Sequence, residues 1–258
     1  MDETRENQML KNWLIRSGLE NGITRVVLNN APVNALTPEF LMDFADLLDE
    51  VRQDTSVKAI ILASPFKVFS AGLDLKAAQR FDLADQQAIV AGLNIAFTKL
   101  FAFPKPVIAA VDGAAIAGGL FFVLGADYRL ATERSSFGLA EVRVGADFPI
   151  GPLEIARTML SANDARRLMQ RGRPYTAEAA LAAGIVDQIV AGDDLAKKAE
   201  ILALEYADIP PKTFAKVKQQ LRGATIDLIE KAMADGANQP TQGWFNEETK
   251  AAMRAMIG

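Results

Sequence analysis

Short apolar runs of strand length alternate with amphipathic stretches of helix length between residues 10 and 140. That alternation limits the fold more than any other feature, because strands buried on both faces need helices to cover them. Residues 14–19 and 23–28 are the first two runs, and Glu20-Asn21-Gly22 between them predicts a β-hairpin. Thr37 and Pro38 supply an N-cap and a first helical position. Phe40, Leu41, Phe44, Leu47, Leu48 and Val51 then recur at helical spacing and give that helix one apolar face. Residues 57–63, 107–111, 128–131 and 135–138 read as further strands, with helices over 85–101 and 118–125. The pattern predicts a largely parallel α/β arrangement. Beyond Pro149 it becomes helical, with expected helices at 153–160, 162–170, 177–183, 195–207, 211–221, 226–235 and 242–256, and one strand-like run at 185–190. The last helices carry apolar faces with little chain left to cover them, which predicts packing on a neighbouring subunit.

Composition removes several chemistries. The 258 residues contain no histidine and no cysteine. Ser-His-Asp triads, thiol nucleophiles, disulfides and zinc thiolate sites are therefore excluded, and acid–base work falls to Asp, Glu, Lys or Tyr. A net charge of -4 gives no basic surface for nucleic acid. The N-terminal stretch 1–11 is polar rather than a signal sequence, and no apolar run approaches a membrane span. The expectation is a cytoplasmic protein with no membrane partner.

Two turns stand out. Phe69-Ser-Ala-Gly-Leu-Asp-Leu75 and Ala114-Ala-Ile-Ala-Gly-Gly-Leu120 are short glycine-bearing turns beside apolar runs. Small residues at Ala71, Gly72, Gly118 and Gly119 let a ligand approach the backbone, or else simply permit tight packing. The first N–H groups of a helix opened by Gly118 lack intrahelical partners. Paired, the turns can aim two N–H donors at one oxygen, the arrangement that stabilises an enolate or oxyanion of an activated acyl group.

The carboxylates are ambiguous in local sequence. Glu141 lies in a mostly apolar segment, where burial would raise its pKa and suit it to shuttle protons; paired with Arg143 or Arg134 it would instead be a surface residue. Asp147 reads as a second carboxylate nearby or as a turn residue before Phe148-Pro149. Arg166, Arg167, Arg171 and Arg173 form a basic cluster, and Lys212, Lys216 and Lys218 another; each reads as a contact to phosphates or as a solvated helix face.

Six segments together carry a resemblance. Pro32-Val-Asn-Ala-Leu36, Val68-Phe-Ser-Ala-Gly-Leu-Asp-Leu75, Lys105-Pro-Val-Ile-Ala-Ala-Val-Asp-Gly113, Ala117-Gly-Gly119, Ala126-Asp-Tyr128 and Gly184-Ile-Val-Asp187 stand in the order and spacing of the crotonase superfamily, the enoyl-CoA hydratase/isomerase group. The chain resembles it over roughly residues 12–256. The resemblance implies an α/β fold: a spiral of ββα turns over 12–195, then a helical trimerisation region over 196–258, assembled as a trimer or a dimer of trimers. It implies an acyl-CoA thioester substrate, with coenzyme A belonging to the substrate and no metal or other cofactor.

The resemblance also carries residues. It puts the oxyanion-hole donors at the N–H groups of Ala71 and Gly118, and the adenine- and pantetheine-binding loop at Ala71, Gly72, Leu73, Asp74 and Leu75. The substrate-contacting set adds Gly119, Phe121, Ala140 and Lys218, and part of the acyl pocket falls in 81–90. Hydratases of the family carry two glutamates. One position is Phe121 here, while the other, in Phe137-Gly-Leu-Ala-Glu141, is retained. A single glutamate is similar to the pattern of the Δ3,Δ2-enoyl-CoA isomerases, with Glu141 as the catalytic base, and so is Pro149. Asp147 departs from that pattern and keeps hydratase and thioester-hydrolase chemistry as alternatives, beside a non-catalytic acyl-CoA binder. RNA binding, known for some members through a lysine-rich helix, is not expected, since residues 38–54 hold one basic residue, Arg52.

Overall fold

The computed structural model describes residues 8–10 and 13–257. Its strands, in chain order, are β1 (Gln8–Leu10), β2 (Leu14–Gly18), β3 (Ile23–Leu28), β4 (Ala35–Leu36), β5 (Ala59–Ala63), β6 (Val68–Ser70), β7 (Gly72–Leu73), β8 (Val107–Val111), β9 (Ala114–Ile116), β10 (Tyr128–Thr132), β11 (Ser136–Gly138), β12 (Tyr175–Thr176) and β13 (Gln188–Val190). Its helices are α1 (Pro38–Gln53), α2 (Leu75–Ala78), α3 (Leu83–Phe101), α4 (Leu120–Leu124), α5 (Ile150–Met159), α6 (Ala162–Arg171), α7 (Ala177–Ala182), α8 (Leu195–Ala207), α9 (Pro211–Ala232) and α10 (Glu247–Ile257). Of the polar stretch 1–11, residues 8–10 form β1 and the rest lies outside the described residues.

One sheet runs β1-β2-β3-β5-β8-β10-β13, antiparallel in the opening hairpin and parallel from β3 onward. Side chains alternate across it, as the pleat requires. Ala59 and Ile61 pack with Ile108, Ala110 and Leu130 under α8. Ile60, Leu62, Val107 and Ala109 face the larger core with α1, α3 and α4. A second sheet, β12-β11-β9-β6, and the small pair β4-β7 stand beside it. No helix among the described residues is long and apolar enough to cross a membrane.

The N-terminal half follows the apolar pattern closely. The Thr37 hydroxyl accepts from the Phe40 N–H at 3.2 Å, as its N-cap place requires. Helix α3 starts two residues before the expected Asp85, because Asp82 and Asp85 form a reciprocal capping box.

Two C-terminal expectations are corrected. Residues 211–221 and 226–235 are not separate helices, since α9 runs through Gly223 without a break. Its Arg222 donates to the carbonyls of Phe101, Gly125 and Ala126, each at 3.0 Å, and covers the Phe101 ring, which fixes the helix where a glycine would weaken it. Residues 242–246 are not helical either. They belong to a strap between α9 and α10, whose N–H groups are taken by a side chain from α3.

Candidate active site

The two glycine turns lie side by side because β6 pairs with β9 and β7 pairs with β4, all in parallel. Contact between them is close. Gly72 has φ +78, and a Cβ there would fall 2.8 Å from the Ile116 carbonyl oxygen and 3.0 Å from the Gly118 nitrogen. A Cβ on Gly119 would fall 2.4 Å from the Ser70 carbonyl oxygen. Buried Asn34 braces the first turn: its Nδ2 donates to the Phe69 carbonyl at 2.8 Å, and its own carbonyl accepts from the Ser70 hydroxyl at 2.8 Å. Asn34 lies within Pro32-Val-Asn-Ala-Leu36, but nothing in its neighbours signals that role; only its φ of +48 marks it, and that is a backbone property.

The amides of this turn are allotted in a way the sequence does not show. The Ala71 N–H donates to the Val33 carbonyl at 2.9 Å, the Gly72 N–H to the Ser70 hydroxyl at 3.3 Å, and the Asp74 N–H to the Leu36 carbonyl at 3.1 Å. Ala71 is therefore already bonded, which corrects its assignment as the donor. Alternate residues of a parallel strand turn their amides to opposite sides, so with Asp74 bonded to β4 the Leu73 N–H faces away from it. Across the contact, Ala117 is held at φ +50, a left-handed value that costs a non-glycine residue about 1 kcal/mol. It opens a single 3-10 turn, Ala117–Gly119, whose first amides have no partner within the turn. Leu73 and Gly118 both line one cavity of about 740 Å3.

Glu141 lines the same cavity from the 3-10 turn Glu141–Val144, which Gly145 ends in a left-handed conformation. Arg143 donates to the Gly172 carbonyl at 2.7 Å and Arg134 pairs with Asp112, so neither holds Glu141, and the surface ion-pair reading falls. The residue borders the cavity, yet its Oε2 is fully buried and has no hydrogen-bond partner among the described residues. Desolvation pushes its carboxyl pKa up to about 8, only partly opposed by its own backbone N–H.

Phe121 is 1% exposed and lines the cavity, with its ring 5.4 Å from that of Phe97. Ala71, Leu75 and Ala140 reach the cavity as well, and so does exposed Asp147. Ile89 and Val90, from the stretch expected to line an acyl pocket, do so with Leu93.

Other candidates serve elsewhere. The Asp74 carboxylate caps α2, accepting from the Lys76 and Ala77 N–H groups at 3.0 Å. Gly72 and Gly119 are packing positions between the turns. Lys218 is 6% exposed and bonds Asp127 at 2.7 Å, beside an Arg222–Asp127 contact at 3.2 Å, so it is neither a solvated residue nor part of the cavity. Burial brings its ammonium pKa down to about 8 against the attraction of Asp127. Replacing one member of such a pair leaves the other's charge buried. Lys218→Met is expected to lose about 2–3 kcal/mol, less than for an isolated pair because Arg222 remains; a denaturant midpoint within error of the parent would remove the pair from the account of stability.

Comparison with known proteins agrees with this architecture. The family model for enoyl-CoA hydratase/isomerase matches residues 18–255. The rat mitochondrial enoyl-CoA delta isomerase 1 is 31% identical over 232 residues, covering 88% of this chain and 80% of its own. A probable enoyl-CoA hydratase of Bacillus subtilis is 27% identical over 247 residues, covering 94% and 95%. Among solved structures, human mitochondrial delta3-delta2-enoyl-CoA isomerase superposes with a TM-score of 0.88 at 24% identity, covering 95% of this chain and 96% of its own, a likeness of fold. An enoyl-CoA hydratase from Mycobacterium marinum gives 0.79 at 26%, covering 87% and 97%. With the crotonase fold in place and the family match spanning nearly the whole sequence, this chain belongs to the enoyl-CoA hydratase/isomerase family.

Proposed function

We propose that the protein is a Δ3,Δ2-enoyl-CoA isomerase. The observation that carries this reading is that Glu141 lines the cavity with one carboxyl oxygen buried and unpartnered, while buried Phe121 takes the position at which the resemblance implies a two-glutamate hydratase's other acid. The thioester carbonyl oxygen would accept from the Leu73 and Gly118 N–H groups. Glu141 removes a proton from C2, negative charge spreads to that oxygen as a dienolate forms, and the same carboxyl returns the proton to C4. One base suffices, because the proton leaves and re-enters the same substrate. Hydration needs both an activated water and a proton donor, and the Phe121 ring offers neither. No metal or redox group enters these steps, and coenzyme A is part of the substrate.

The stripe Val217, Leu221 and Leu228 on α9 is 47%, 76% and 47% exposed. It supports assembly through the C-terminal helices as a homotrimer or a dimer of trimers.

Trans-3-hexenoyl-CoA and crotonyl-CoA, assayed side by side by the absorbance of the conjugated enoyl thioester, test the reading. A rise with the first and no loss with the second is the expected result. Loss of the second substrate would identify a hydratase instead and point to Asp147, which reaches the cavity from its exposed edge; release of free thiol would identify a hydrolase.

The base must be ionised to act. With the Glu141 pKa raised to about 8, kcat/KM is expected to climb with pH through that region and level off above it. A profile already flat from pH 6 would separate Glu141 from the rate-determining proton transfer.

A further inference from the structure

The strap at 237–246 closes one side of the cavity, and side chains of α3 hold it there. Gln86 is 8% exposed. Its Oε1 accepts from two consecutive strap amides, Trp244 at 3.0 Å and Phe245 at 3.1 Å, while its Nε2 donates to the Phe81 carbonyl at 3.3 Å. Fully buried Asn94, two turns along α3, donates to the Asn238 side chain at 2.8 Å and accepts from the Gly151 N–H at 2.8 Å. Gln87 donates to the Pro240 carbonyl at 3.3 Å. Gly243 lets the strap come this near: its φ is +65, and a Cβ there would lie 2.2 Å from Gln86 Oε1.

The strap's backbone bonds are local ones, from the Gln239 N–H to Gly236 and from the Gly243 N–H to Pro240. Just beyond it, on α10, the Thr249 hydroxyl donates to the Gly145 carbonyl at 2.9 Å, next to the turn that carries Glu141. Ile89, Val90 and Leu93 follow Gln86 along α3 and face the cavity together with Trp244 and Phe245. The indole N–H of Trp244 is buried and has no partner among the described residues. A chain segment tied down mainly by side chains, with an unpartnered indole beside the cavity, is a wall whose place depends on those side chains.

We propose that Gln86 is a positioning residue that seats this strap as the end wall of the acyl cavity, and that Trp244 on it sets which acyl lengths fit. The proposal rests on the reading of the cavity as an acyl-thioester site. A buried methylene improves binding by roughly fourfold. Affinity therefore rises with chain length until the chain meets the wall, then stops rising.

Trp244 supplies its own reporter, since the protein has two tryptophans and the other, Trp13, bonds Asp43 away from the cavity. In a Trp13→Phe protein, Trp244 emission is followed while butyryl-, octanoyl- and dodecanoyl-CoA are titrated, with binding measured in parallel by calorimetry. These saturated thioesters have no double bond to move or hydrate. The expected result is an emission change that appears only with the longer chains. Gln86→Met keeps the side-chain length and removes the acceptor, so Trp244 loses its seat and the longer chains lose the apolar surface they bury against it; the dodecanoyl-to-butyryl affinity ratio should fall about tenfold. Gln86→Glu keeps an acceptor oxygen and should restore most of that ratio. Emission unchanged at every length despite calorimetric binding, or an unaltered ratio in Gln86→Met, overturns the proposal alone. No binding of any acyl-CoA overturns the acyl-thioester reading together with it.

Discussion

Glu141→Gln is expected to lower kcat about a thousandfold and leave KM within a few-fold. General acid–base groups contribute roughly 100- to 10,000-fold, and in the proposed mechanism one carboxyl does both the removal and the return of the proton. Glutamine fills the same volume in the same cavity, so substrate docking has no reason to change; the loss belongs in the chemical step. The measurement is steady-state kinetics on trans-3-hexenoyl-CoA, with folding checked by circular dichroism. Turnover retained within tenfold would take Glu141 out of the mechanism.

The same substitution should stabilise the fold. Unfolded, the Glu141 carboxyl titrates near the ordinary 4.5; folded, near 8. The folded state therefore holds the proton more tightly, and stability falls as pH rises from about 4.5 to about 8, then stays level. Glutamine has no charge to bury. At pH 7 the variant should gain on the order of 2 kcal/mol, a figure reduced because part of the residue borders the cavity rather than the packed interior. Its advantage should vanish below pH 4.5. A variant less active and more stable, with the stability gap opening only as pH rises, would tie both effects to one buried carboxylate.

What could be read from residue order was whatever repeats or whatever faces the core. The faces of α1 and α3, the buried strands β5 and β8 and the hairpin all follow from spacing, because burial on one side leaves a periodic trace. The two turns were legible through their glycines, whereas Glu141 was ambiguous among its neighbours and was singled out by the resemblance carried by Phe137-Gly-Leu-Ala-Glu141. The remainder depended on contacts between distant segments. Whether Ala71 or Leu73 keeps a free amide is decided by Val33 and Leu36, which lie more than thirty residues away. Lys218 shows no local sign of its bond to Asp127, since its neighbours on α9, Lys212 and Lys216, look much the same. Gln86 and Asn94 are polar residues buried on α3, and their partners, the strap and the Gly151 N–H, lie far off in the chain. Residues 211–221 and 226–235 read as separate helices, yet Arg222 holds α9 continuous between them.

Gly72→Ala should damage both the fold and turnover without touching a chemical group. The methyl meets three obstacles at once: a φ of +78, the Ile116 carbonyl oxygen at 2.8 Å and the Ala117 Cβ at 2.8 Å. Neither the carbonyl nor Ala117 can swing aside as a flexible side chain would, because both belong to the strand and turn that present the Gly118 amide. The left-handed conformation alone costs alanine roughly 1 kcal/mol, and the clash should bring the total to about 2–4 kcal/mol. Relief has to come from the two turns moving apart, which separates the Leu73 and Gly118 amides proposed as the donors. Loss of one such donor lowers rate by roughly 100- to 1000-fold. Because the developing oxyanion needs them more than the ground-state carbonyl does, kcat should fall further than KM rises. Gly18→Ala serves as the control, since a Cβ there meets nothing within 4 Å, and it should behave like the parent. A folded Gly72→Ala protein with kcat intact would mean that the amides at this junction do not hold the substrate oxygen.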